Sequence, residues 1–149
     1  MATNNFQRSK ERITINDIEF IESQFSFQFP NDFKEHYLEY NGGKPEKSFF
    51  ILNDTIYGIQ LFLSIKNGNQ TIENDVQDLK VDDSILPDKL IPFAIDSSGN
   101  YFCFSKKEAD FGVIYYWDSE NYDDENRAVT YLASSLDEFI NSMQNDPED

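Results

Sequence analysis

Ile91-Pro92-Phe93-Ala94-Ile95, Asp96-Ser97-Ser98-Gly99-Asn100, Tyr101-Phe102-Cys103-Phe104-Ser105 and, after a polar interval, Gly112-Val113-Ile114-Tyr115-Tyr116-Trp117 together decide the fold. Three apolar, aromatic and β-branched runs of strand length are separated by turn formers, and no helical period runs through them. The loop Asp96 to Asn100 is far too short for a crossover between parallel strands, so the runs follow one another as an antiparallel meander. Pro92 lacks an N–H donor, which places its run at a strand start or a sheet edge. Gly112 opens the third run.

Towards the amino terminus the periodicity becomes helical. Thr14 with Asp17 three residues on resembles a capping box, and Ile18, Ile21 and Phe25 follow on one stripe. Phe25, Phe27 and Phe29 then alternate in a short extended turn before Pro30. Pro30 suits the first position of a second helix, whose inner face carries Phe33, Tyr37 and Tyr40. Asn41-Gly42-Gly43 ends that helix, because the residue past the last turn adopts a left-handed conformation that glycine reaches without a Cβ clash. Residues 1 to 13 are polar, with Arg8, Lys10 and Arg12, and form a lead-in expected to be partly ordered.

Between the helices and the meander, Phe49 to Leu52 and Ile56 to Ile65 are predicted strands joined by Asn53-Asp54. Asn67-Gly68 marks a turn, and Ile72, Val76 and Leu79 allow a short helix within Thr71 to Asp83. Beyond the meander, residues 118 to 126 form a solvated acidic loop. Ser134 or Ser135 caps a last helix, with Ser135 and Glu138 spaced as a capping box and Leu136, Phe139, Ile140 and Met143 forming its inner face. The predicted fold is α+β: one domain over residues 14 to 143, a mostly antiparallel meander sheet with two amino-terminal helices and a carboxy-terminal helix packed on it. Residues 144 to 149 are a polar tail.

At 149 residues, with 39% hydrophobic and 15% aromatic content, the chain can build one sizeable core. Its 28 Asp and Glu against 12 Lys and Arg give a formal net charge of −16. Phosphate backbones and anionic membranes are bound by clustered cations, so neither nucleic acid nor a membrane is an expected partner. An acidic surface instead steers a basic protein towards it. Cys103 is the only cysteine and lies among aromatics, so no internal disulfide is expected and the thiol reads as buried and inert. The polar start Met1-Ala2-Thr3-Asn4-Asn5 has no apolar signal-peptide core, and no apolar run reaches the roughly 20 residues of a bilayer span. A cytoplasmic location is expected.

The ordered local sequences resemble the SUKH superfamily. The resemblance is carried by Ile18 and Glu22 of the first helix, Phe29-Pro30-Asn31-Asp32-Phe33 and Tyr40-Asn41-Gly42-Gly43. Further along it rests on Ile91-Pro92-Phe93-Ala94 with Asp96 and Gly99-Asn100, on Val113 to Asp118, and on Ser135-Leu136-Asp137-Glu138-Phe139-Ile140. It covers about residues 14 to 143, loosely from Gly43 to Leu90. It implies an α+β domain whose bacterial members are mostly immunity proteins that bind and neutralise polymorphic toxin domains, often nucleases. It also implies an alternative, a non-catalytic regulatory adaptor similar to a fungal regulator of cell-wall assembly.

Catalysis finds little support in the residues. His36, the only histidine, is flanked by Glu35 and Tyr37 on a helix and reads as packed or surface-exposed. A dyad with Cys103 is rejected, since aromatic burial raises a thiol's pKa. No metal-binding Cys or His spacing occurs, and Asp82-Asp83 and Asp123-Asp124-Glu125 do not fit an EF-hand loop. No metal or cofactor is expected. The candidate partner-binding residues are therefore Asp118, Glu120, Tyr122, Asp123, Asp124 and Glu125, with Asp82 and Asp83 as a second patch. Tyr122 would be the anchor, because an aromatic among charges carries binding energy while rim charges set rate and salt dependence. Tyr115 and Trp117 share one strand face, and packing is the expected use of Trp117.

Overall fold

Each end of the first helix is fixed by its own residues in the computed structural model, which describes residues 4–148. Thr14 and Asp17 form the full capping box of α1 (Ile15–Phe25), and Ser26 closes the helix in the left-handed conformation. Ile18 and Ile21 are buried, and Phe25 is half-buried against the same core. Pro30 stands just before α2 (Asn31–Glu39) as its cap, one position earlier than the sequence suggests. Phe33 and Tyr37 are fully inside, with their rings nearly parallel at 6.5 Å.

The lead-in is built into the domain from Asn4 onward; Met1 to Thr3 lie outside the described residues. Phe6–Gln7 (β1) pairs antiparallel with Lys44–Pro45 (β2), and the Phe6 ring packs on His36, Tyr40 and Phe62 at 4.6 to 5.2 Å. One buried aromatic side chain outweighs the polarity of its neighbours, which is why composition alone misreads this segment.

The predicted strand Ile56 to Ile65 is in fact two. β3 (Phe49–Leu52) and β4 (Thr55–Gly58) form a separate hairpin, with Asn53 and Asp54 both at positive φ in its tight turn. The chain then leaves that hairpin: Gln60 N–H donates to Ile95, and β5 (Leu61–Phe62) joins the main sheet. Gln144, assigned to the tail, bridges β3 through Phe49. Asp149 lies outside the described residues.

The main sheet runs β5-β6-β7-β8-β9, all antiparallel, with β6 (Leu90–Ile95), β7 (Tyr101–Ser105), β8 (Ile114–Trp117) and β9 (Val129–Ala133). The meander is as predicted, but Pro92 is neither at a strand start nor at an edge. It sits inside β6 where the register to β7 slips between Pro92 and Ala94, a bulge that removes the demand for its missing N–H. β9 was not foreseen at all.

The sheet carries two cores. Phe93, Phe102, Phe104 and Ile114 meet α1, α2 and α5 (Leu136–Asn141) on one side, with Phe139 between Phe50, Phe93 and Phe102. Ser135, one of the two serines the sequence offers, caps the last helix; Leu136, Phe139 and Ile140 on it are buried, as is Met143, which lies just past its end. On the other side Leu86, Leu90, Cys103, Trp117 and Ala128 form a smaller cluster, rimmed by Leu79, Ile85, Tyr101, Tyr115 and Val129. Trp117 is fully buried there, so its use is packing.

Candidate functional site

The second core positions the acidic segments. α3 (Ile72–Val76) starts on the Thr71 cap, with Ile72 and Val76 in the main core. The helix then widens into a π turn, Gln77–Asp82, which turns Leu79 away from the main core and onto the second cluster. Asp82 and Asp83 follow on the outside, beside Val81, which is 56% exposed. Across the cluster, Ser119–Asn121 forms a 3-10 turn and α4 (Glu125–Ala128) a single turn that seats Ala128 in the same small core. Leu79 of the π turn and Ala128 after the acidic segment thus pack into the same small core.

The segment 118 to 126 is more ordered than a solvated loop. Asp118 accepts from Glu120 N–H at 3.1 Å and from Asn121 Nδ2 at 2.7 Å, and Asp124 caps α4 by accepting from Asn126 N–H at 3.2 Å. These two carboxylates shape the turn. Glu120, Asp123 and Glu125 project to solvent, and Tyr122 is 53% exposed.

A network at the neighbouring turn holds the start of this segment. Ser119 donates through both N–H and Oγ to Asn100 Oδ1 at 3.0 Å, and Asn100 Nδ2 donates to Tyr116 Oη at 2.8 Å. Tyr116 in turn donates to Asp96 at 2.6 Å, whose other oxygen accepts from Ser98 and Asn100 N–H. Gly99, at φ +88°, lets the turn close. Burial and the Asp96 carboxylate both push the Tyr116 phenol well above its usual range, so it stays a donor. Val81, Asp96, Asn100 and Tyr116 were absent from the predicted site; the Asp-x-x-Gly-Asn turn was legible only as a turn.

Asp110 is a second hub. It takes hydrogen bonds from Ser105, from Tyr115 Oη at 2.6 Å and from Lys89 at 3.2 Å, and the Lys89 ammonium lies 4.4 Å over the Tyr115 ring. Burial raises its carboxyl, but those three donors outweigh it and leave the group lowered. Cys103 lies fully inside the second core, and its thiol is pushed far up by desolvation. His36 is 8% exposed, between Phe6, Tyr37, Tyr40 and Phe62, and Nε2 has no partner among the described residues. It forms no dyad with Cys103: its neighbours are the rings of the main core, and Cys103 belongs to the opposite one. Among the described residues no group of three or more His, Cys, Asp or Glu is arranged to hold a metal. None of their helices is long and apolar enough to cross a membrane.

Two helices before a bulged meander, an acidic turn pinned by Asp96, Asn100 and Tyr116, and a closing helix define an α+β domain. The chain belongs to the SMI1 / KNR4 family (SUKH-1), whose model matches residues 12–142. Among curated proteins none matches it.

Proposed function

We propose that this protein is an immunity protein that binds and neutralises a cognate bacterial toxin domain, a nuclease by preference, and acts without catalysis. What supports the reading most is that two exposed acidic segments, one following Leu79 and one leading into Ala128 of the same small core, each carry an exposed apolar residue, Val81 and Tyr122. A nuclease holds phosphate in a basic cleft. A rigid row of carboxylates takes the place of phosphate there, steers the encounter, and leaves the apolar pair to hold the complex. Rigidity matters because a turn already fixed by Asn100 and Asp124 loses little conformational entropy on docking.

On this reading the gene directly upstream encodes the toxin. Co-expression with the carboxy-terminal domain of that neighbour is expected to restore growth and to yield a co-purifying pair. Growth arrest that the protein does not relieve, with no complex recovered, refutes the reading and favours the adaptor role of the wider family.

A further inference from the structure

A further concave feature lies away from the acidic turn. A groove of about 710 Å³ runs between the α1–α2 connection and the segment 106–111, and it is floored by Phe27 and Phe29 with Phe111, 43% exposed, at its rim. Its wall exists because Gly112, at φ +86°, lets the chain pass Pro30: a Cβ there would lie 3.3 Å from the proline ring. Lys34, Lys106 and Lys107 line it, with Glu108 the one acid among its lining residues, in a chain where acids outnumber bases by more than two to one. Lys34 shares Glu22 at 3.5 Å, but that carboxylate already accepts from Phe29 N–H at 2.8 Å. Lys106 reaches Asp88 only at 3.8 Å, and Asp88 is largely in solvent. Lys107 is exposed and joins no ion pair among the described residues.

We propose that this groove binds a short acidic segment of a partner protein, its carboxylates on the three lysines and one apolar side chain between Phe27 and Phe111. The volume falls within the roughly 300–1,000 Å³ of ordinary ligand clefts. At physiological salt the screening length is about 8 Å, so ammonium groups inside the groove govern what enters it, not the distant acids. A nucleic acid fits poorly: the groove continues into a furrow bearing Glu19 and Glu22, which repels a strand charged along its length. The inference stands apart from the toxin reading, since it uses none of the acidic turn.

Fluorescence anisotropy with a labelled Asp-Glu-Phe-Asp-Glu peptide tests it on the full chain. Saturable binding is expected, weakened about tenfold by Lys106→Ala with Lys107→Ala, by Phe111→Ala, and by alanine in place of the peptide's Phe. These residues are surface side chains, and unchanged melting curves will show that the variants fold. No binding, equal binding of a Lys-Lys-Phe-Lys-Lys peptide, undiminished binding by the lysine variant, or tighter binding of a labelled oligothymidylate overturns the proposal.

Discussion

Acid is expected to destabilise this fold through one side chain, His36. Its ring is shut among Phe6, Tyr37, Tyr40 and Phe62, and burial pulls its pKa from the ordinary 6.5 down to about 4. The unfolded chain therefore takes up a proton at about 6.5 that the folded chain refuses until about 4. Stability from the neutral ring is complete above pH 6.5 and is lost as pH falls towards 4. At about 1.4 kcal/mol per pH unit the loss is about 2 kcal/mol at pH 5 and about 3 kcal/mol at pH 4. For a domain of this size, 2 kcal/mol lowers the melting temperature by roughly 4–8 °C. Carboxyl groups also contribute: Asp32 and Asp75, raised chiefly by burial, gain stability as pH falls, whereas Asp17, lowered chiefly by the Thr14 backbone N–H, loses it only below its ordinary 3.8. Comparison with His36→Leu subtracts them all. Thermal melts of both proteins at pH 7 and pH 5 should show the parent losing about 2 kcal/mol more than the variant. Parallel losses refute the neutral, shut-in histidine.

Asn41→Ala should cost about 2–4 kcal/mol in urea denaturation, because its side chain accepts from Ile65 N–H and donates to the carbonyls of Glu11 and Ile65. Glu22→Ala should cost about 1–3 kcal/mol by leaving Phe29 N–H without an acceptor, and Glu22→Gln clearly less; equal costs would show that charge matters more than the hydrogen bond. Asn100→Ala should free Ser119 and raise hydrogen exchange across residues 118–122 while leaving α5 unchanged. Cys103 should react with a thiol reagent only at the rate of unfolding, and fast labelling of the native protein would contradict its burial.

Local chemistry explains which parts of this fold could be read from the chain. Thr14 with Asp17 and Ser135 with Glu138 need only their own turn, and both caps form where the spacing puts them. The turn Asp96 to Asn100 likewise fixes the meander. What could not be read depends on partners far away in sequence. Phe6 belongs to the fold only because His36, Tyr40 and Phe62 receive it, and Asn41 is a buried clip to Glu11 and Ile65 as well as a helix stop. β9 carried a strand signal, Ala128-Val129-Thr130-Tyr131-Leu132-Ala133, overshadowed by the acidic run before it. The acidic candidates were legible as charge. That Asp118 and Asp124 spend their carboxylates on the turn, and that Val81 is left exposed while Leu79 packs inward, becomes visible only in the fold.

Association kinetics with the carboxy-terminal domain of the proposed toxin test both the sign and the place of the contact. Stopped-flow measurement of the on-rate across ionic strength should give a steep fall for the parent protein. With Glu120→Lys and Asp123→Lys together, two carboxylates that project to solvent, the rate should be at least about tenfold lower at low salt, with a much shallower slope. Identical rates and slopes for the two proteins would place the contact elsewhere on the molecule.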